Sequence, residues 1–153
     1  MSDWYRRISS NLAELPAAIA YYESQLSDAR LETSIKGNLE SNSRLMPGVV
    51  EHRFNQLQEC EAILEWLNIQ LKKKRSEVFR RYTENYNRAL TSKDAEKYAD
   101  GDPEVVEWYL LINEFAMIRN KYLGVIKALD QKQWMVTNII KLRVAGMDDI
   151  TLG

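Results

Sequence analysis

Residues 103–144 read PEVVEWYLLINEFAMIRNKYLGVIKALDQKQWMVTNIIKLRV, and this stretch decides the fold. It holds no proline after Pro103, and Val105, Ile112, Phe115, Tyr122, Ile126, Leu129, Val136 and Ile140 recur at steps of three, four or seven. Side chains at those steps share one face of an α-helix. Trp108, Leu111, Ile118, Val125 and Trp134 lie beside or across from that stripe. The start is marked by Asp100-Gly101-Asp102-Pro103. Asp102 can accept backbone N–H bonds as an N-cap, and Pro103 takes the first helical position, where its missing N–H does no harm. Gly146 supplies the stop. The spacing therefore predicts one helix of about 60 Å at 1.5 Å per residue. The rest of so short a chain cannot cover both faces of such a rod, so self-association is expected.

Two further helical segments lead up to it. From Val49 to Tyr86, the residues Val50, Phe54, Leu57, Leu64, Leu71, Val78 and Tyr82 fall close to a heptad seam. Glu61, Asn68 and Arg75 interrupt that seam, and Cys60, Ile63 and Leu67 widen it beyond a two-stranded coil. From Asp3 to Lys36, the stripe is Leu12, Leu15, Ile19, Tyr22, Leu26, Ala29 and Ile35, with Pro16 in a first turn and Gly37 as a stop. Asn38 to Arg44 is polar, and Pro47-Gly48 punctuates the chain before Val49. Thr91 followed by Asp94 resembles a capping box and predicts a short helix through Tyr98. The expected fold is all-α, with long helices in an antiparallel hairpin or bundle. The expected organisation is an N-terminal helical segment (1–46), a helical core (47–146) and a tail (147–153).

Composition excludes several classes. The chain has 153 residues, with 21 Lys and Arg against 22 Asp and Glu, a formal net charge of -1. Such balance argues against a histone-like protein or an acidic tail protein. Six glycines and three prolines are too few for the turns of a sandwich or barrel. Cys60 is the single cysteine and His52 the single histidine, so neither an intrachain disulfide nor a Cys/His zinc site can form. A single cysteine fits a reducing compartment. No phosphate-binding loop and no dinucleotide fingerprint occur. Asp100, Asp102 and Glu104 fall short of a calcium loop, because Val105 stands at the position that needs glycine. His52 has no nucleophile motif beside it and reads as an exposed helix residue, and Cys60 reads as core. No catalytic residue, metal or cofactor is expected, and an enzyme is the least favoured class. No apolar run reaches bilayer-spanning length, and Met-Ser-Asp-Trp-Tyr-Arg-Arg opens the chain with no apolar core behind it. A soluble cytoplasmic protein without a membrane partner is the expectation.

The chemistry-bearing cluster is Lys72, Lys73, Lys74, Arg75, Arg80 and Arg81, interleaved with Phe79, Tyr82 and Tyr86, with Arg88 beyond. Residues 72–81 hold six basic groups and one acidic group, a local charge of +5. Cations can follow a phosphate backbone while rings stack on unpaired bases, each stack contributing about 1–3 kcal/mol without strong sequence preference. That pattern points to single-stranded nucleic acid, and a solvated helix face is the plain alternative. A second basic set, Arg119, Lys121, Lys127, Lys132, Lys141 and Arg143, is spread over many turns and reads more simply as solubilisation. Residues 93–107 carry the opposite sign, -4, so the chain is polarised despite its balanced total.

The basic-aromatic helix is followed by Tyr98-Ala99-Asp100-Gly101-Asp102, and the long helix closes on Ile126-Lys127-Ala128-Leu129-Asp130-Gln131-Lys132-Gln133-Trp134, then Ile139-Ile140-Lys141-Leu142-Arg143. From about Leu45 to Gly146 this resembles the UvsY recombination mediators of T-even-like bacteriophages. The resemblance implies a ring-like homo-oligomer, a hexamer or heptamer, without catalytic activity. It implies binding of single-stranded DNA, displacement of single-strand binding protein and loading of a RecA-like recombinase, in the host cytoplasm if the chain is phage-encoded. It places DNA contacts on a Lys/Arg pair ahead of a tyrosine-containing stretch, here the neighbourhood Lys72 to Tyr82. With Tyr82 as the anchor, Ser76 and Val78 stand where that pair is basic, so no single pair is singled out. The N-terminal segment before Leu45 departs from the family. Two other readings stay open: a coiled-coil scaffold or adaptor without DNA binding, and a regulator docking a partner through the acidic surface from Asp94 to Glu107.

Overall fold

The structure, a computed structural model, describes residues 3–85 and 89–146. Its elements in chain order are α1 (Asp3–Ser10), a 3-10 turn (Leu12–Glu14), α2 (Leu15–Glu32), α3 (Leu39–Asn85), α4 (Ser92–Gly101) and α5 (Pro103–Val144). The described residues contain no strand, and the all-α expectation holds. No helix among them is long and apolar enough to cross a membrane.

Several boundaries fall where the capping chemistry puts them. Asp102 is extended (φ -65, ψ 133), and its Oδ1 accepts the Glu104 N–H at 3.0 Å, so α5 starts at Pro103. Thr91 Oγ1 accepts the Asp94 N–H at 3.2 Å and starts α4. Gly146 takes φ +83 just past α5, a conformation in which a Cβ would be strained. Tyr86 and Arg88, and the expected tail from Met147, lie outside the described residues.

Three features differ from the sequence expectations. The first segment is not one helix. Asn11 is extended (φ -154, ψ 107) and its side chain accepts the Ala13 N–H, which breaks the chain between α1 and the turn before α2. The Arg7 guanidinium then lies 3.9 Å from the Trp4 ring centroid and bonds Glu14 at 2.7 Å. The α2 helix stops at Glu32, before Gly37, because the Thr33 hydroxyl and N–H both donate to the Arg30 carbonyl. Most notably, α3 begins at Leu39 and runs through Pro47 rather than starting after it. Asn38 Oδ1 accepts the Glu40 and Ser41 N–H groups at 2.8 and 3.2 Å, and Leu39 and Met46 are buried. Capping and burial outweigh the helix-interior penalty of proline, about 3 kcal/mol.

The chain divides into two units, Met1–Cys60 with Ile118–Gly153, and Glu61–Met117. In the first, α2 and α5 both run antiparallel to α3. Gln25 and Glu32 of α2 meet Gln56 and Arg53 of α3, while Tyr122 and Val136 of α5 meet Gln56 and Leu39. The core holds Ile8, Leu15, Ala18, Tyr22, Leu26, Leu57, Cys60, Tyr122 and Leu129, and the rings of Tyr22 and Tyr122 meet edge-on at 6.0 Å. A polar network crosses it. Buried Arg53 pairs with both carboxylate oxygens of Glu32 and donates to Gln25 at 3.0 Å and Gln56 at 2.9 Å. Tyr122 donates its hydroxyl to the same Gln56 oxygen at 3.2 Å. Breaking such a buried pair is strongly destabilising, because the surviving charge stays buried. In the second unit, Val78 of α3, Ala99 of α4 and Val105 of α5 form a cluster, with Leu71, Phe79 and Tyr82 packed around it.

Two stability measurements follow from this packing. Pro47→Ala restores a helical N–H in the third turn of α3 and is expected to raise unfolding free energy by about 1–3 kcal/mol in urea melts. Burial, with the Glu59 carboxylate next in importance, pushes the Tyr22 phenol far up, and burial does the same to Tyr122. Their ordinary value is 10.0, so above that pH the unfolded chain loses these protons first and stability falls. Burial lowers the Lys132 ammonium, which acts in the opposite sense only up to its ordinary value of 10.5. Above that, stability should fall by about 1.4 kcal/mol per pH unit for each phenol. Tyr122→Phe should halve that slope in urea melts across the alkaline range.

Candidate nucleic-acid interface

The basic cluster lies on the C-terminal half of α3, where one uninterrupted helix displays it on all sides of the Val78 anchor. Val78 is fully buried, and so fixes which cations turn inward to α4 and α5. Lys74, about one full turn before Val78, faces them. Its ammonium lies 3.4 Å from Glu77 and 3.9 Å from Glu104. Arg81 lies 3.3 Å from each of the same two carboxylates. Lys74, Glu77, Arg81 and Glu104 therefore close into a ring of alternating charge. Arg75 pairs with Asp100 at 2.8 Å, and that hydrogen bond and charge raise the guanidinium above its ordinary value.

The aromatic members are built into the fold. Phe79 packs against the Val78–Ala99–Val105 cluster. Tyr82 packs there too, stacks on Tyr98 with ring centroids 5.5 Å apart, and donates its hydroxyl to Asp102 Oδ2 at 3.1 Å. Asp102 thus caps α5 with one oxygen and holds α3 with the other.

What remains on the outside is Lys72, Lys73 and Arg80. Lys72 and Lys73 are exposed, with no carboxylate within ion-pair distance among the described residues. The Arg80 side chain is 77% exposed, and among the described residues its one carboxylate within ion-pair distance is Glu84, at the 4.0 Å limit. Lys73 and Arg80 are seven residues apart, about two turns, and so lie one above the other. With Lys72, Ser76 and Glu77 they line a shallow surface groove, and Lys72, Arg75, Phe79, Arg80 and Thr83 line a second beside it together with Glu84 and Glu96. Arg88 lies outside the described residues.

The structure thus pairs Lys74, Arg75 and Arg81 with the acidic α4–α5 turn and leaves Lys72, Lys73 and Arg80 outside that pairing. Glu77 was legible as a partner, being three residues after Lys74 and four before Arg81. Asp100 and Glu104 were not, because they come from chain more than twenty residues away. Elsewhere, His52 is exposed and Cys60 is buried. Among the described residues no group of three or more His, Cys, Asp or Glu side chains could hold a metal ion. Lys132 of the second basic set donates to the Glu32 carbonyl at 2.8 Å.

Compared with protein families, characterised proteins and solved structures, the chain matches none of them.

The double role of Asp102 can be measured. Asp102→Ala removes a helix cap and the acceptor for Tyr82, and is expected to lower stability by about 1–2 kcal/mol. Asp102→Asn keeps one acceptor oxygen for the Glu104 N–H and turns an amide N–H toward the Tyr82 oxygen, which can accept it, so it should lose less than half as much, in paired chemical-denaturation curves.

Proposed function

We propose that this chain is a recombination mediator: a non-catalytic homo-oligomer that binds single-stranded DNA, helps displace single-strand binding protein and loads a RecA-like recombinase. The observation that carries the reading is the exposed face of Lys72, Lys73 and Arg80 on one rigid helix. A rigid helix presents its cations without the ordering cost that a loop would incur. Capture is mainly electrostatic on this face, since Phe79 and Tyr82 are engaged in packing. Stacking contributions then come from rings outside the cluster core or from rearranged ones. Self-association is supported by large apolar side chains left in water on α5, among them Leu110 at 63%, Met117 at 61%, Trp134 at 61% and Met135 at 52% exposed. The partners beyond DNA rest on the family resemblance.

The same exposed apolar side chains also favour the scaffold reading, in which the chain assembles but does not bind DNA. A salt titration of binding to a labelled oligonucleotide separates the two. The mediator reading expects log affinity to fall with log salt by about 0.7 per phosphate neutralised. Lys72→Glu, Lys73→Glu and Arg80→Glu together should flatten that slope by about 2 and leave the oligomer unchanged in light scattering. A protein that assembles but shows no binding at low salt would be a scaffold.

A further inference from the structure

Half of the six cations in residues 72–81 are already held by carboxylates that flank the α5 cap. Arg75 faces Asp100, and Lys74 and Arg81 share Glu104. Both acids flank the α5 cap, Asp100 two residues before Asp102 and Glu104 two after it. A guanidinium fork fits carboxylate and phosphate oxygens alike. On this face, then, the turn sits where a phosphate backbone would bind.

The pairs are weak enough to exchange. Side chains of Arg75, Arg81, Asp100 and Glu104 are 45–49% exposed. Pairs so open to water contribute about 0–1 kcal/mol each and weaken with salt. The turn itself is pinned, because Asp102 bonds both the Glu104 N–H and the Tyr82 hydroxyl, and Tyr82 stacks on Tyr98. In an exchange the long cationic side chains swing outward while the carboxylates stay nearby.

We propose that the acidic turn from Asp100 to Glu104 is an internal competitor for the nucleic-acid backbone. It occupies Lys74, Arg75 and Arg81, leaves Lys72, Lys73 and Arg80 to meet the strand first, and holds the affinity of each subunit low. This rests on the strand-binding reading above and adds a regulator to the same site. Only a densely charged polyanion, offering several phosphates at once, displaces both acids.

The test compares two charge-matched variants. Asp100→Asn with Glu104→Gln removes the competitor. Asp94→Asn with Glu107→Gln removes the same charge from exposed acids that pair with no cation among the described residues. Each is titrated with a fluorescent oligothymidylate over a salt series. The competitor variant should bind about 5- to 100-fold more tightly at 0.1 M salt, with a slope steeper by about 0.7 to 2. The control should stay within about twofold of the parent chain. Equal gains in both variants would mean long-range charge alone and overturn the proposal. So would an unchanged slope in the competitor variant while the parent still binds, an outcome that leaves the strand-binding reading standing. Absence of binding by all three proteins at low salt would remove the strand-binding reading and the competitor together. Should the double variant lose its helical circular dichroism, Asp100→Asn alone frees Arg75, and a slope steeper by about 0.7 is then the expected result.

Discussion

A 42-residue helix with an apolar stripe along it needs cover, and the rest of the structure covers most of that stripe while leaving Leu110, Met117, Trp134 and Met135 beside it exposed. In the first unit, Leu39, Gln56 and Leu57 of α3 and Tyr22 of α2 accompany Tyr122, Leu129, Val136 and Ile139 of α5 in or around the core. In the second, Val78 and Ala99 close over Val105. The need to reach Val136 and Ile139 explains why α3 extends back to Leu39. A helix beginning after Pro47 would leave both of them in water. Burying a large aliphatic side chain contributes about 1.5–3 kcal/mol, so two or three such residues offset one interior proline.

Charge follows the same logic at lower strength. The +5 of residues 72–81 and the -4 of residues 93–107 are brought face to face by the cap at Asp102. The folded surface therefore carries a milder field there than either segment would alone. The first unit treats charge differently. Arg53 is buried, and every donor direction that matters is matched by Glu32, Gln25 or Gln56. A buried, fully satisfied network of this kind holds helices in one register more than it adds net stability. The α3–α4–α5 pairs are exposed and exchangeable. One set of ion pairs is suited to specifying the fold, the other to being replaced.

Legibility divides along the range of the interactions. Thr91, Asp102 and Pro103 act on the next three residues, and their effect on α4 and α5 was readable from the residues alone. The stripes of α2, α3 and α5 were readable for the same reason, since a repeat of three, four or seven is a local property. Pro47 was misleading because its local signal is opposed by burial of Leu39 and Met46 against other parts of the chain. Asn11 was missed because the polar run Ser9-Ser10-Asn11 between two amphipathic stretches looks like a solvated helix face until the Asn11 side chain is seen to accept the Ala13 N–H. At the site, the basic segment was legible as composition. Which cations face outward was not, because that depends on Val78 turning into the cluster and on carboxylates that arrive from the α4–α5 turn.

Weak sites and surplus apolar surface belong together in the proposed mechanism. If each subunit offers only Lys72, Lys73 and Arg80 at first contact, its individual hold on a strand is slight and strongly salt-dependent. Joining subunits through α5 makes each later contact intramolecular, so many slight contacts sum to a firm one. Such a grip differs in kind from one tight site. Any single contact opens and recloses without loss of the whole, which lets another protein advance along the strand one subunit's footprint at a time. A mediator that must hold a strand and then yield it to a recombinase needs that property. A tight, preformed groove lined by six unpaired cations would hold the strand but not release it. In the proposed mechanism, the internal pairing of Lys74, Arg75 and Arg81 would suit this basic segment to handing DNA on rather than keeping it.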